Sequence, residues 1–144
     1  MNFKNYNQFR RKLKKRLIVN PRHNATEAVD RGTNLVKNTA VESIMQGGTG
    51  TTYEKYNPRR THTASSPNKP PANDQGFLVS QISTSVKAQG DGSVIGQIIS
   101  AAPYSKALEF GTVTMIARPF MRPALNRNVR KIRQIFKREG IITK

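Results

Sequence analysis

Positive charge is the feature that most restricts what this chain can become. Twenty-five Lys and Arg against eight Asp and Glu leave a formal charge of +17 on 144 residues, a self-repulsion that opposes compaction unless something anionic lies close by. Nucleic acid, an acidic protein surface or a membrane surface would each serve. No apolar run approaches the ~20 residues that a spanning helix needs, so a membrane-spanning role is excluded. The basic N-terminus lacks the apolar stretch and small-residue cleavage site of a secretion signal. Hydrophobic residues make up 35% of the chain, below the ~45–50% of an ordinary domain. The expectation is one modest core, with arms or long loops outside it. The absence of Cys removes disulfides, thiolate catalysis and cysteine zinc sites, and fits assembly in a reducing cytoplasm.

Residues 1–23 read as a basic arm. Lys4, Arg10, Arg11, Lys12, Lys14, Lys15, Arg16 and Arg22 precede the first acid, Glu27. Phe3, Tyr6, Phe9, Leu13 and Leu17 recur at three- and four-residue spacing, so the arm can become an amphipathic helix once its apolar side meets a surface. Residues 24–144 read as a single domain. Asn24 followed by Glu27 resembles a capping box, and Ala25, Ala28, Val29, Leu35, Val36, Ala40 and Ile44 then share a helix face until Gly47 and Gly48, predicting a helix over about 25–46. The polar stretch 47–73, with Pro58, Pro67, Pro70 and Pro71, predicts a long loop, either functional or disordered, with Tyr53, Tyr56, Arg59 and Arg60 available for contacts. Alternation from Ile82 to Ala88, the turn Gln89-Gly90-Asp91-Gly92 and a second alternating run from Val94 to Ala101 predict a hairpin. Tyr104 to Phe110 reads as one or two helical turns closed by Gly111, and Thr112 to Ala117 as a short strand. Met121, Leu125, Val129, Ile132 and Phe136 then mark a long amphipathic helix whose other face carries Arg122, Arg127, Arg130, Lys131, Arg133, Lys137 and Arg138. The fold class expected is α+β: a small antiparallel sheet covered by a long helix from the N-terminal half and by the C-terminal amphipathic helix, with a long loop.

Catalytic chemistry is poorly supported. His23 and His62 have no ligand-spaced partners, and the eight acids are scattered. Glu27 and Asp30 share the start of a helix, where complementing the dipole is the simpler role. Gly47-Gly48-Thr49-Gly50-Thr51-Thr52 follows a helix and lacks the Lys-Ser/Thr ending of a phosphate loop. No enzyme and no cofactor are expected. Glu109 stands out, an acid in the apolar stretch Ala107-Leu108-Glu109-Phe110-Gly111-Thr112. It could pair with Arg118, within or between subunits, or remain an exposed helix residue. Breaking a buried pair would cost ~3–5 kcal/mol, an exposed one ~0–1.

The block Ala102-Pro103-Tyr104, Leu108-Glu109-Phe110-Gly111-Thr112 and Ala117-Arg118-Pro119-Phe120-Met121-Arg122-Pro123-Ala124-Leu125 resembles the signature of the tail-completion, or head-to-tail joining, proteins of long-tailed phages. Pro70 to Leu78 is similar to that family's Pro-x-Asp-Thr-Gly-x-Leu stretch, with Gln75 in place of the Thr and with Asp74, Gly76 and Leu78 kept. The resemblance covers about residues 24–138. It implies a non-enzymatic virion protein at the neck, assembled in the host cytoplasm as a homo-oligomeric ring, usually a hexamer. Such a ring lies between a head-closure or portal-adaptor protein and a tail terminator or tail tube protein, with genomic DNA in the lumen and no membrane. On that reading Tyr104, Glu109, Phe110, Gly111, Arg118, Pro119, Phe120 and Arg122 are candidates for the subunit or partner interface. Arg10, Arg11, Lys12, Lys14, Lys15, Arg16, Arg130, Lys131 and Arg133 are candidates for sequence-independent contact with channel DNA or an acidic partner. Without the resemblance, Gly111, Pro119 and Pro123 describe a structural corner, with Phe120 and Leu125 packing the sheet against the last helix. The competing functions are a free nucleic-acid-binding protein, another virion component such as a tail terminator, and, least of all, a nucleic-acid enzyme, since no carboxylates cluster for metals.

Overall fold

The computed structural model describes residues 21–142, so the arm positions Arg10, Arg11, Lys12, Lys14, Lys15 and Arg16 lie outside the described residues. The α+β class holds: among the described residues four helices and two antiparallel hairpins follow one another in the order α1 (Pro21–Met45), β1 (Thr52–Tyr56), β2 (Arg59–Thr63), α2 (Phe77–Ser80), β3 (Ile82–Ala88), β4 (Val94–Ser100), α3 (Ser105–Phe110) and α4 (Met121–Arg138).

Helix α1 organises the rest. Its buried positions Ala28, Gly32, Val36, Ala40 and Ile44 recur every four residues, the spacing of a stripe that winds slowly around a helix. Small side chains at three of these positions allow close approach, and at Gly32 an added methyl would stand 3.7 Å from Ile132 on α4. The two helices run antiparallel, and buried Asn128 crosses their contact, donating to Thr39 Oγ1 at 2.8 Å and to the Ala124 carbonyl at 2.9 Å. The expected start at Asn24 is corrected, because the chain is already helical at Pro21. Proline suits a first helical turn, where its missing N–H has no acceptor to lose. Glu27 therefore pairs with Arg31 and His23 along the helix instead of closing a capping box. The end is as expected, with Gly47 in the left-handed region at φ 88°.

The hairpin β3–β4 lies on α1, with Ile82 opposite Ser100 and Ala88 opposite Val94. Along β4, Val94, Gly96, Ile98 and Ser100 face inward while Ile95, Gln97 and Ile99 are exposed, as the alternation predicts. Gly96 is where the sheet touches the helix, since a Cβ there would lie 2.4 Å from Thr33 Cγ2 and 2.6 Å from Val29 Cγ1. Val36, Ala40 and Ile44 then close a core with Leu78, Ile82, Ala102, Phe120 and Ala124.

Two further expectations are corrected. The stretch 47–73 is not wholly loop, because β1 and β2 form a second hairpin within it, with Tyr53 opposite His62 and Lys55 opposite Arg60. Its Thr and Tyr residues favour extended backbone, and Gly50 N–H to Ala64 O (2.8 Å) with Ala64 N–H to Thr51 O (3.0 Å) closes its base. Thr112 to Ala117 forms a turn and not a strand: the Thr112 hydroxyl accepts from Met115 N at 3.0 Å while Thr112 N donates to Met115 O at 2.8 Å. Local side-chain to backbone bonds of this kind compete with ladder pairing.

Candidate functional site

The corner between α3 and α4 is built around one carboxylate. Helix α4 begins with no side-chain cap from its own flanking residue, leaving the donors of its first turn unsatisfied. Glu109, projecting from α3, takes three of them. Its Oε2 accepts from Phe120 N at 2.9 Å and Met121 N at 3.0 Å, and its Oε1 accepts from Arg122 N at 2.9 Å. The carboxylate thus sits at the positive end of the α4 dipole. This arrangement replaces the expected ion pair, and among the described residues Glu109 and Arg118 form none. Arg118 donates its backbone N–H to Leu108 O at 2.7 Å and turns its guanidinium toward Met115 Sδ.

The predicted interface residues therefore separate. Phe120 is a core residue, 1% exposed, and Glu109 is spent on the α4 backbone, so neither offers its side chain to a neighbour. Gly111, at φ 77°, closes α3, and Pro119 is half-buried beside Phe120. Phe110 is 75% exposed; together with exposed Arg122 it borders an apolar groove between α1, β4 and α4. Tyr104 and Arg118 line a different cleft of about 450 Å³, shared with Tyr53, His62 and Asp74 of the second hairpin region. There Tyr104 lies against Phe77, ring centroids 6.1 Å apart. Beyond Phe110, the turn exposes Val113 and Ile116 as well.

Helix α4 does not bury the face its periodicity predicts. Ala124 and Asn128 are its buried residues, with Asn128 bonded to Thr39 of α1, while Leu125 and Val129 are 48% and 38% exposed. Leu125 does not pack the sheet against the helix; it lines the open groove. The basic face is as expected: Arg122, Arg127, Arg130, Lys131, Arg133, Lys137 and Arg138 are all exposed. Among the described residues none of them has an ion-pair partner. Glu139, the nearest acid in sequence, is taken by Arg31 at 2.8 Å. Seven cations thus stand unneutralised on eighteen residues.

One cluster is not visible in the sequence. Asp74 receives Arg60 through Nε at 3.1 Å and Nη2 at 3.0 Å, binds Lys55, and lies 3.5 Å from His62 Nδ1. The Arg60 hydrogen bond, followed by that from Lys55, holds the Asp74 carboxyl down at about 2. Tyr53 meets His62 edge-on, centroids 5.5 Å apart. These contacts tie the β1–β2 hairpin to the segment before α2. Lys55, Arg60 and His62 point to such a cluster only once the two strands are known to pair. Among the described residues no three of His, Asp and Glu come together as a metal site, and no helix is long and apolar enough to cross a membrane. The chain matches no protein-family model, no curated protein and no solved structure.

Proposed function

We propose that this chain is a structural subunit of a phage neck, one copy of a ring that joins the head-closure or portal complex to the tail and encircles the DNA. The observation that carries the reading is the α4 face: seven exposed cations, without ion-pair partners among the described residues, on the helix that the resembling block leads into. A channel must let any sequence slide, and unpaired Arg and Lys beside a polyanion provide attraction to the phosphate backbone without reading bases. The exposed Phe110, Val113 and Ile116 add apolar surface at the end of α3 and on the turn that leads toward α4, as a subunit that functions among neighbours would have. The head-to-tail ring closes through a heterologous contact repeated around an axis.

Electron microscopy of particles of the virus encoding this chain, with antibody against the chain as label, tests the reading. Density and label at the junction of head and tail are expected; particles lacking the chain there would overturn it.

A second reading, a free sequence-independent nucleic-acid-binding protein, draws on the same α4 face. It requires purified monomer to bind duplex DNA with a log–log salt slope of about −0.9 per phosphate neutralised. The neck reading requires ring assembly, alone or with partners, whatever the affinity for free DNA.

A further inference from the structure

The outer edge of β4 is unpaired among the described residues and overlooks an apolar trough. Gln89 N–H to Ser93 O (2.8 Å) and Ala101 N–H to Gln81 O (3.0 Å) bracket the β3–β4 hairpin. Hydrogen-bonded rungs alternate in an antiparallel pair, so the backbones of Ile95, Gln97 and Ile99 turn to β3 and those of Val94, Gly96 and Ile98 turn away. This sheet has two strands, which leaves the N–H and C=O groups of Val94, Gly96 and Ile98 without partners among the described residues. Ser100, next in the same set, is covered by the Ser105 hydroxyl, which donates to its carbonyl at 3.4 Å. Contacts around α1 fix what the open edge faces. At about 100° per residue, Gly32 and Thr39, which meet α4, lie about 60–80° to one side of Val29. Thr33, beneath Gly96, lies about 40° to the other side, and Asn34, which accepts from Thr84 of β3, about 140°. The order around α1 is therefore α4, trough, β4, β3. The open edge faces α4 across a trough of about 630 Å³, floored by Val29 and Val36 and walled by Leu125, Ile132 and Phe136. Arg122 and Arg133 stand on its outer rim, about 40–60° beyond Phe136 on the side away from Asn128. Glu109 reaches one end of the trough, but its carboxylate is already held by three backbone donors.

Edge, floor and rim together specify one occupant. An open strand edge takes an extended backbone, whose own amides complete the ladder. Side chains of an added strand alternate between two faces. One set points down onto Val29, Val36 and Leu125 and must be apolar; the other points up beside Arg122 and Arg133 and suits carboxylates. We infer that the trough docks an extended segment of a partner protein in which apolar and acidic residues alternate, added to the sheet beside β4. The open edge from Val94 to Ile98 and the α4 wall from Leu125 to Phe136 are each about 13–17 Å long, which matches a strand of about five or six residues. A second copy of this chain does not supply such a segment, because its eight acids are scattered and no stretch alternates them with apolar residues. The inference does not depend on the neck reading. Arg127, Lys131 and Arg138 lie on the opposite side of α4 from this rim and remain free for a polyanion.

The probe is a synthetic peptide of about seven residues, within the usual range of strand lengths, that alternates Glu with Val or Ile. A version with Lys in place of every Glu is the charge control. Each is titrated to about 1 mM, the weak end of specific affinity, into isotope-labelled full chain and followed by NMR. With the Glu peptide, solvent exchange of the Val94, Gly96 and Ile98 amides is expected to slow several-fold, and the Lys peptide is expected to bind at least about tenfold more weakly. No slowing, or equal binding of the two peptides, would overturn the inference. Arg122→Gln combined with Arg133→Gln should melt like wild type, because both side chains are exposed, and should weaken the Glu peptide by about two- to thirtyfold, as loss of two exposed ion pairs would. Unchanged affinity in that variant would remove the charge recognition on which the choice of occupant rests. Backbone pairing has its own control. Of two Glu peptides, N-methylated at every apolar or at every acidic residue, one presents its methyl groups to β4 and should fail to bind; equal affinity of the two would mean docking without strand addition and would overturn the inference. Slowed exchange of the same three amides in the chain alone, growing with its concentration, would assign the edge to a second copy and equally overturn it.

Discussion

Replacing Glu109 with Ala separates a helix cap from an ion pair. In the folded chain the carboxylate accepts three backbone donors at 2.9, 3.0 and 2.9 Å, so its removal strips the whole first turn of α4 at once. Loss of an N-terminal cap costs about 0.5–2 kcal/mol, and loss of a negative charge at the positive end of the dipole about 0.3–1 kcal/mol, more where the site is partly buried. Together these give about 2 kcal/mol for Glu109→Ala. Glu109→Gln keeps one acceptor oxygen and loses the charge, for about 1 kcal/mol. For a domain of this size 1 kcal/mol corresponds to roughly 3–5 °C in Tm, so circular dichroism melts should show drops of about 6–10 °C and 3–5 °C respectively. The rival account is tested in the same series with Arg118→Ala and the double variant. A cap predicts Glu109 and Arg118 effects that add to within about 0.5 kcal/mol, since the two side chains share no bond. A coupling above about 1 kcal/mol, or a Glu109→Ala melt within about 1 °C of wild type, would refute the capping argument.

Three other perturbations probe particular contacts. In the folded chain the Asp74 carboxyl lies at about 2, below its ordinary 3.8. The contribution is therefore fully present above the ordinary value and disappears as pH falls through the folded one: the protection factors of β1–β2 amides, taken relative to the intrinsic exchange rate at each pH, should fall between about pH 4 and 2, and Asp74→Asn should abolish that dependence. Gly96→Ala places a methyl 2.4 Å from Thr33 Cγ2 and should cost about 1–3 kcal/mol by overpacking, read as a fall in urea midpoint; Thr33→Ser should restore part of it, and a neutral Gly96→Ala would contradict the close approach. Arg130→Glu, Lys131→Glu and Arg133→Glu together should leave the melt near wild type, because all three are exposed and unpaired among the described residues, while reducing the magnitude of the salt slope for duplex DNA by about 0.9 for each phosphate no longer neutralised; an unchanged slope would remove α4 from the polyanion surface.

What is legible in the sequence is periodic or punctuated. The hairpin of Ile82 to Ala88 with Val94 to Ser100, the strict alternation along its second strand, the Gly-rich turn and the closure of α3 by Gly111 appear in the structure as read, because side-chain period and positive φ are local properties, while on the first strand the alternation fades toward an exposed Ala88. The β1–β2 hairpin is hidden because its strands carry no apolar alternation; their partner surface is Asp74, eleven residues beyond Thr63, and charge pairing leaves no period. Glu109 is conspicuous for the right reason, a lone acid in an apolar stretch, but its partners are amides and not an arginine. Backbone N–H groups carry no sequence label, so the donors at the start of α4 compete for it only once the chain has folded back. The basic residues of α4 are legible as a face, but their lack of neutralising acids depends on where Glu139 and Arg31 meet.

The partial exposure of α4 has one geometric cause. At 100° per residue its five predicted apolar positions fall within an arc of about 80°, yet the buried Ala124 and Asn128 lie to one side of that arc, where Ala28, Gly32 and Ala40 on α1 admit a close helix contact. A close contact between small residues is narrow, so the flank carrying Leu125 and Val129 has no surface to meet, and a shallow trough opens toward β4, which rests on Thr33 and Val29 of α1 at Gly96. Replacing Gly32 with a larger residue would widen the α1–α4 spacing, because even a single methyl there already reaches van der Waals contact with Ile132 at 3.7 Å. Gly32→Leu should therefore lower the urea midpoint by the ~1–3 kcal/mol of an overpacked contact and break the Asn128–Thr39 bond, visible as a shift of the Asn128 side-chain amide resonance. An undisturbed Asn128 amide in that variant would mean that α4 is not positioned by the small-residue stripe of α1, and the open groove would need another explanation.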